Sequence, residues 1–507
     1  MSSRRRNKQL ILGLLIVVAL VVVVVGIPQL IPQVKPKPTA TQSPTPTIPV
    51  ANPISDRISY GDRIFINYSD NESKEFQTLK NNNNFQQARN NPQFRQQGSE
   101  FCADPEPLIY LNNAQIGKSP SYTIAVVVPI ENQQSTALEI LRGVAQAQDE
   151  INKSATKING KLLKVIIAKE KEGDTNITEG IAKHLVEDKD ILGVIGHYTS
   201  DDTEKAVKIY GNPELTEKRL VLISSTSTKP NIDNQYGYFF RTVPNNIDEA
   251  EKLADYMFKN LNQRKAAIVF NPESKYSTSL KDEFQKAVEA KKGQIFKVYD
   301  LNLGLNGSQV INEAINNQTN IFMFAGNKSY IDRTVLNFLN PEAQQFYYLA
   351  GDAMYEPSSL AGNPDIGKRL RNMVITVPWH YTVSSPKSQE FVQKSYKLWC
   401  QPQRSEDKIN WRTATSYDAT NALIEALKNN PSPTRRLIKE FLSNNFTMPP
   451  GVTGKIRFKN NGDLDGESKL VQLVEKEAAT LYEFQLLRDK SQCISYSLET
   501  KGSSNYS

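Results

Sequence analysis

From Tyr122 onward, short apolar runs rich in β-branched residues alternate with longer stretches in which apolar residues recur at helical spacing. The first runs cover residues 123–128, 162–168, 191–195 and 220–223. Each is nearly continuous, as expected for a strand buried on both faces of a parallel sheet. Between them, Leu138, Leu141, Val144, Ala145 and Ile151 mark one amphipathic helix, and Ile177, Ile181, Leu185 and Val186 another. A second series follows, with strands predicted at 266–270, 295–298, 321–324 and 347–349 and helices at 248–260, 279–290 and 330–339. The β-α-β order predicts doubly wound parallel sheets flanked by helices. Two series in succession predict two lobes, with a small-ligand cleft beyond the carboxyl ends of the strands.

Before Tyr122 the pattern is different. Arg4, Arg5, Arg6 and Lys8 precede an apolar run from Leu10 to Gly26, extended by Ile27, Leu30 and Ile31. About 20 apolar residues suffice to span a bilayer as a helix, and the basic cluster keeps the first residues inside. Residues 1–8 are therefore expected to form a cytoplasmic stub and 9–31 a transmembrane signal anchor, with the bulk of the chain outside. The run ends in Val23-Val24-Val25-Gly26-Ile27-Pro28, without a small-residue cleavage pattern or a cysteine for lipidation, so an uncleaved anchor is expected. Residues 32–55 are rich in proline and threonine and predict an extended linker. Residues 56–118 are polar. Phe76, Leu79, Phe85 and Ala88 hint at a helix interrupted by Pro92, and the stretch from Asp104 to Ala114 resembles the start of a tetratricopeptide-type helix. The segment is read as a small helical unit resting on the main domain, or else as a polar spacer. The main domain is expected over 119–487 and a flexible tail over 488–507.

Composition narrows the function. The chain has 507 residues, too many for one core. Its formal charge of +7 is small for that length and is concentrated partly in the N-terminal cluster, so no nucleic-acid footprint is present. Cys102, Cys400 and Cys493 show no metal or redox spacing; one disulfide is compatible with an oxidising compartment, and the sequence does not choose the pair. His184, His197 and His380 are scattered and are expected to be surface or packing residues. There is no P-loop, dinucleotide fingerprint or nucleophile elbow, so binding rather than catalysis, without cofactor or metal, is expected.

The ends of the strands carry the candidate chemistry. After the third run the sequence reads Gly196-His197-Tyr198-Thr199-Ser200-Asp201-Asp202-Thr203, a glycine turn and hydroxyls leading into a helix start that can receive an anion. After the fourth it reads Ser224-Ser225-Thr226-Ser227-Thr228-Lys229-Pro230, hydroxyls that donate and accept without charge. Each also has a plain structural role, Ser200 as a helix cap and the hydroxyl run as a polar loop.

With Phe239-Phe240-Arg241-Thr242-Val243-Pro244, Lys275-Tyr276-Ser277, Tyr417-Asp418-Ala419, Thr453-Gly454-Lys455-Ile456-Arg457-Phe458 and Gly462-Asp463, the order of these stretches resembles the type I periplasmic binding protein family, in particular its branched-chain amino-acid group. The resemblance implies a two-lobed α/β fold and hinge closure on an amino acid-like ligand for ABC-type uptake. It places Ser200, Thr226, Ser227 and Thr228 at carboxylate-binding positions and Tyr276 as an aromatic closing from the second lobe. It places Asp352 against the ligand ammonium, ionised because a cation partner lowers its pKa. It places Gln133, Gln134 and Ser135 near the ligand side chain. Chain crossings are implied at residues 243–244, 377–378 and 448–451, giving a first lobe of 119–243 and 378–448 and a second of 244–377 and 449–487. Asp201 and Asp202 depart from a carboxylate site and are expected to face solvent and complement the helix dipole. Lys229 adds a positive charge, so a leucine-like ligand and a basic or more polar one both stay open. Expected partners are the small ligand, the membrane through the N-terminal helix, and an ABC permease or, in the alternative of a tethered sensor, a membrane signalling protein.

Overall fold

The computed structural model of the chain describes residues 54–66, 104–327, 345–399, 409–444, 446–476 and 482–487. The first apolar runs become one sheet, built in chain order from β1 (Ile58–Ser59), β2 (Ser121–Val128), β3 (Leu162–Lys169), β4 (Ile191–Ile195), β5 (Leu222–Ser224) and β6 (Phe239–Arg241). The spatial order is β1-β3-β2-β4-β5-β6. All neighbours are parallel except β1, which runs antiparallel to β3. Around it lie α1 (Pro105–Ile116), α2 (Gln134–Lys153), α3 (Thr175–Glu187) and α4 (Ser200–Tyr210). β2 and β3 are buried over most of their length because both faces are covered by packed elements.

The second lobe repeats the scheme. Its helices are α5 (Asn246–Lys259), α6 (Lys275–Ala290), α7 (Gly307–Asn316), α8 (Pro357–Leu360) and α9 (Pro364–Arg369). Its strands are β7 (Lys265–Phe270), β8 (Gln294–Asp300), β9 (Ile321–Ala325), β10 (Tyr347–Ala350), β11 (Met373–Val377), β12 (Lys469–Glu475) and β13 (Tyr482–Leu486), in the order β13-β12-β11-β10-β9-β7-β8. The last two pair antiparallel, so the chain finishes the sheet as an edge hairpin. The helix expected at 330–339 lies outside the described residues.

Three further helices return to the first lobe: α10 (Pro386–Leu398), α11 (Trp411–Lys428) and α12 (Arg435–Ser443). α11 packs on α2 so closely that Thr413 and Ser416 donate to the α2 carbonyls of Glu139 and Ile140. A Cβ on Gly143 would collide with the Ser416 hydroxyl and the Thr413 carbonyl, so this approach requires glycine.

Two boundaries differ from the sequence reading. Residues 446–465, assigned above largely to the second lobe, lie against the first. Phe446 stacks on Phe458 and Phe458 packs on Phe240. Asp418 of α11 accepts from the amides of Val452 and Thr453. Arg241 at the end of β6 forms a buried ion pair with Asp463. The third crossing therefore falls at residues 466–468, next to β12, where Ser468 N donates to Asp248 of α5. The cause is the Arg241–Asp463 pair, a long-range contact with no local signal.

The second difference is at 56–118. Ile58–Ser59 extends the first sheet at its β3 edge. Helix α1 carries Glu106, fully buried, whose carboxylate accepts from Phe65 N at 2.8 Å and Ile66 N at 3.0 Å. Asn113 of α1 bonds the β3 backbone at Val165. What is described of this segment is thus an edge strand and a single covering helix joined to the first lobe. The weaker helical pattern near Phe76 to Ala88 lies outside the described residues. So do the apolar run of 9–31, the linker up to residue 53, the tail and all three cysteines. Among the described residues no helix is long and apolar enough to cross a membrane.

Candidate functional site

A cavity of about 320 Å3 opens between the lobes, beyond the carboxyl ends of the strands. From the first lobe, Glu172 after β3, Ser200 at the start of α4, Thr226 after β5 and Arg412 in the first turn of α11 line it. From the second come Asn271 after β7, Tyr276 in the first turn of α6, Asn327 after β9 and Asp352 after β10.

The lobes touch across this cleft. Lys275 N donates to Asp201 Oδ2 at 3.1 Å, and its Nζ pairs with Glu204 at 2.7 Å. Asn327 Nδ2 donates to Glu172 Oε1 at 3.2 Å. Arg412 reaches Glu139 in its own lobe at 2.9 Å and Glu356 in the other at 3.3 Å. The arrangement is a closed one.

Asp352 is buried, 1% exposed. Its amide donates to Glu249 Oε2 at 3.3 Å, and the Tyr276 hydroxyl bonds its carboxylate while accepting from Ala353 N. A Cβ on Gly351 would strike the Tyr276 hydroxyl and Leu280, so the neighbouring glycine is what lets Tyr276 lie over Asp352. Burial raises Asp352 above the usual carboxylate range, against the pull of Arg412 and of the bonds from Tyr276 and Ala353. Behind it Glu249 is raised further, by burial and then by the Asp352 charge. Burial works against the Arg412 guanidinium, but Glu139 and Glu356 outweigh it and hold it protonated. Among the described residues, four buried polar atoms of the cavity wall have no partner: the acceptors Asp352 Oδ2 and Asn327 Oδ1, and the donors Trp411 Nε1 and Arg412 Nε. Buried polar atoms are normally satisfied, so the cavity wall holds unspent bonds of both signs.

The sequence of residues 121–478 matches the family described as periplasmic binding protein. The chain belongs to the periplasmic binding protein family. An amino acid binding protein of Pseudomonas aeruginosa is 26% identical over 142 residues, which are 28% of this chain and 36% of that relative. The Leu/Ile/Val-binding protein homolog 3 of Brucella melitensis is 27% identical over 179 residues, 35% of this chain and 46% of that relative. The chain thus spans less than half the length of either relative in these matches. The solved structure of an ABC transporter substrate-binding protein from Desulfitobacterium hafniense in complex with Leu has the same fold, with a TM-score of 0.60 at 20% identity, covering 72% of this chain and all of that one.

In this binding protein the residues singled out from the sequence take different places. Ser200, Thr226, Tyr276 and Asp352 line the cavity together. Thr199, not Ser200, caps α4, its Oγ1 accepting from Asp202 N at 3.1 Å. The Ser200 hydroxyl instead accepts from Ser227 Oγ at 3.2 Å and Lys229 N at 3.3 Å, which leaves its own O–H to donate. Ser227 therefore stands behind Ser200. Thr226 donates to Tyr198 O at 2.7 Å, which shapes the loop. Thr228 is fully buried outside the cavity lining, with no partner for its hydroxyl, and its carbonyl accepts from Asn246 N at the first crossing. Gln134 and Ser135 are exposed in the first turn of α2 and do not line the cavity. The residue before them, Gln133, donates to Glu172 Oε2 at 2.6 Å.

Neither Asp201 nor Asp202 simply faces solvent. Asp202 is fully buried and accepts from Thr178, Gly173 N and Thr199. Burial and the nearby Glu170 push it up to about 7. Asp201 is half-buried and lines the cavity. The buried His197 bridges Glu170 at 2.6 Å and the Tyr210 hydroxyl at 3.1 Å, a packing role beneath the Ser200 loop.

Glu172, Asn271 and Asn327 escaped the sequence reading although each follows a strand, where the rule for open α/β sheets directs attention. Trp411 and Arg412 had no such signal. They arrive from a helix that joins the first lobe more than 200 residues after β4.

Proposed function

We propose that this periplasmic binding protein captures an amino acid outside the cytoplasmic membrane, encloses it by closing its lobes, and presents it to an ABC-type permease. Asp352 carries the reading: a buried carboxylate oxygen without a partner, on the wall of an interlobe cavity, is suited to a ligand ammonium. On the opposite lobe the Ser200 hydroxyl and the start of α4 suit the ligand carboxylate. Tyr276 contributes from the second lobe by fixing Asp352, and Thr226 by shaping the Ser200 loop. Relatives described as amino acid-binding support the ligand class. The protein acts by binding and release rather than by covalent chemistry. The basic cluster and apolar run before residue 32 support a single-pass membrane tether, and the proline-rich spacer supports reach from the surface.

The test is a thermal-shift screen of the full chain in detergent against the common L-amino acids, followed by calorimetry on any that stabilise it. Stabilisation by amino acids, absent with carboxylic acids that lack an ammonium, is expected. No shift with any amino acid at millimolar concentration would overturn the reading.

A further inference from the structure

The charges on the cavity wall do not balance. Among the described residues four carboxylates line it, Glu172, Asp201, Glu273 and Asp352, against one cation, Arg412. That cation is already matched by Glu139 at 2.9 Å and Glu356 at 3.3 Å. Two lysines beside the cavity, Lys275 and Lys229, direct their Nζ atoms to Glu204 at 2.7 and 3.6 Å. The α-ammonium of an amino acid answers one carboxylate, Asp352. On the first-lobe wall Glu172 and Asp201 remain, both half-buried. Burial raises each of them; the Gln133 bond and Arg412 pull Glu172 back in part and Lys275 pulls Asp201 back in part, while Asp201 opposes the charge of Glu172 and Glu204 that of Asp201, and both stay above their ordinary values. Glu172 spends its oxygens on amide donors only, Gln133 Nε2 at 2.6 Å and Asn327 Nδ2 at 3.2 Å. Asn327, whose Oδ1 is buried without a partner, adds an acceptor on the same side. A neutral ligand side chain here would leave two partly desolvated carboxylates repelling each other.

We propose that the ligand carries a second positive charge: a basic amino acid whose side-chain ammonium or guanidinium is held by Glu172 and Asp201 while its α-ammonium meets Asp352. This rests on the amino-acid reading above and narrows it to one substrate class. The Lys275 amide on Asp201 and the Asn327 amide on Glu172 then couple recognition to closure, because each carboxylate that would hold the distal cation is also touched from the second lobe.

The experiment is calorimetry on the full chain with L-lysine, L-arginine, L-norleucine and cadaverine. Norleucine is lysine without its side-chain amine; cadaverine is lysine without its carboxylate. Lysine or arginine is expected to bind at least about tenfold more tightly than norleucine, the ordinary worth of a charged hydrogen-bonded partner. Glu172→Gln is expected to bring that ratio down by about tenfold, with Asp201→Asn as a second variant acting in the same sense. Norleucine binding as tightly as lysine to the unmodified protein, or variants that weaken both ligands in equal proportion, would overturn the proposal while leaving the amino-acid reading intact. Tight binding of cadaverine with no binding of any amino acid would do the reverse, keeping the two-cation site and removing the amino-acid reading.

Discussion

Asp352 draws its function from where it sits rather than from its residue type. It is enclosed by Tyr276, Ala353, Glu249 and the more distant Arg412, and one of its oxygens still lacks a partner. Asp352→Ala is expected to weaken amino-acid binding by about 1–3 kcal/mol in calorimetry, the usual worth of a hydrogen bond to a charged group. A pH dependence follows. Burial raises the pKa of Asp352 in the free protein, and an ammonium against it favours the carboxylate and lowers that pKa again. Binding therefore releases a proton, and affinity falls as the pH drops through the raised value, by at most about tenfold per unit for one group. Affinity that stays flat between about pH 8 and pH 5.5 would remove Asp352 from the site. By the same sign, a carboxyl raised in the folded state costs stability once it is ionised, so in the absence of ligand Asp352 favours folding on the acid side of its pKa.

At the scale of elements, the two strand–helix series were visible because buried parallel strands read as unbroken apolar runs and the surface helices keep a polar face. α11 was not read as a helix; only Tyr417-Asp418-Ala419 within it was singled out, by resemblance. It is buried on nearly every side and built largely from threonine, serine and alanine, so it has no polar face to betray its period. β12 and the edge strand β13 are antiparallel strands whose burial alternates, a weaker signal than a continuous run. The contact between α2 and α11 rests on Gly143. Gly143→Ala is expected to lower stability by about 1–3 kcal/mol through overpacking, read as a lower urea midpoint with unchanged slope. A variant as stable as the parent would mean that the two helices can separate at little cost, contrary to their shared hydrogen bonds.

At the scale of the whole molecule, closure is held by few contacts. Lys275 bridges α6 to Asp201 and Glu204 of α4, and Asn327 and Arg412 reach across elsewhere. The Lys275–Glu204 pair, exposed on its lysine side, contributes only about 0–1 kcal/mol, which suits a reversible hinge. Lys275→Glu replaces attraction by repulsion at Glu204 and is expected to raise the ligand dissociation rate several-fold, about what 1 kcal/mol allows, in stopped-flow measurements. An unchanged rate would show that this bridge does not hold the closed state. The Arg241–Asp463 pair acts differently. It anchors residues 446–465 on the first lobe and holds the carbonyls of Ser227 and Lys229 with the same guanidinium, so the Ser200 loop and the third crossing share one buried cation.

What the sequence determined by itself was whatever is written locally. Strand and helix periods, the helix start at Ser200 and the hydroxyl run after β5 are consecutive residues whose physics needs no partner. The tertiary structure decided what depends on approach. It selected Ser200, Thr226, Tyr276 and Asp352 for the cavity wall and left Thr228, Gln134 and Ser135 outside it. It brought Arg412 and Glu172 in from distant segments, buried Asp202 and moved the third crossing past Asp465. The charge of the cavity is such a quantity, because it sums carboxylates from four loops that become neighbours only when two lobes close. A chain can specify each loop by local pattern, but the field inside a cleft exists only after folding removes the water that would screen it.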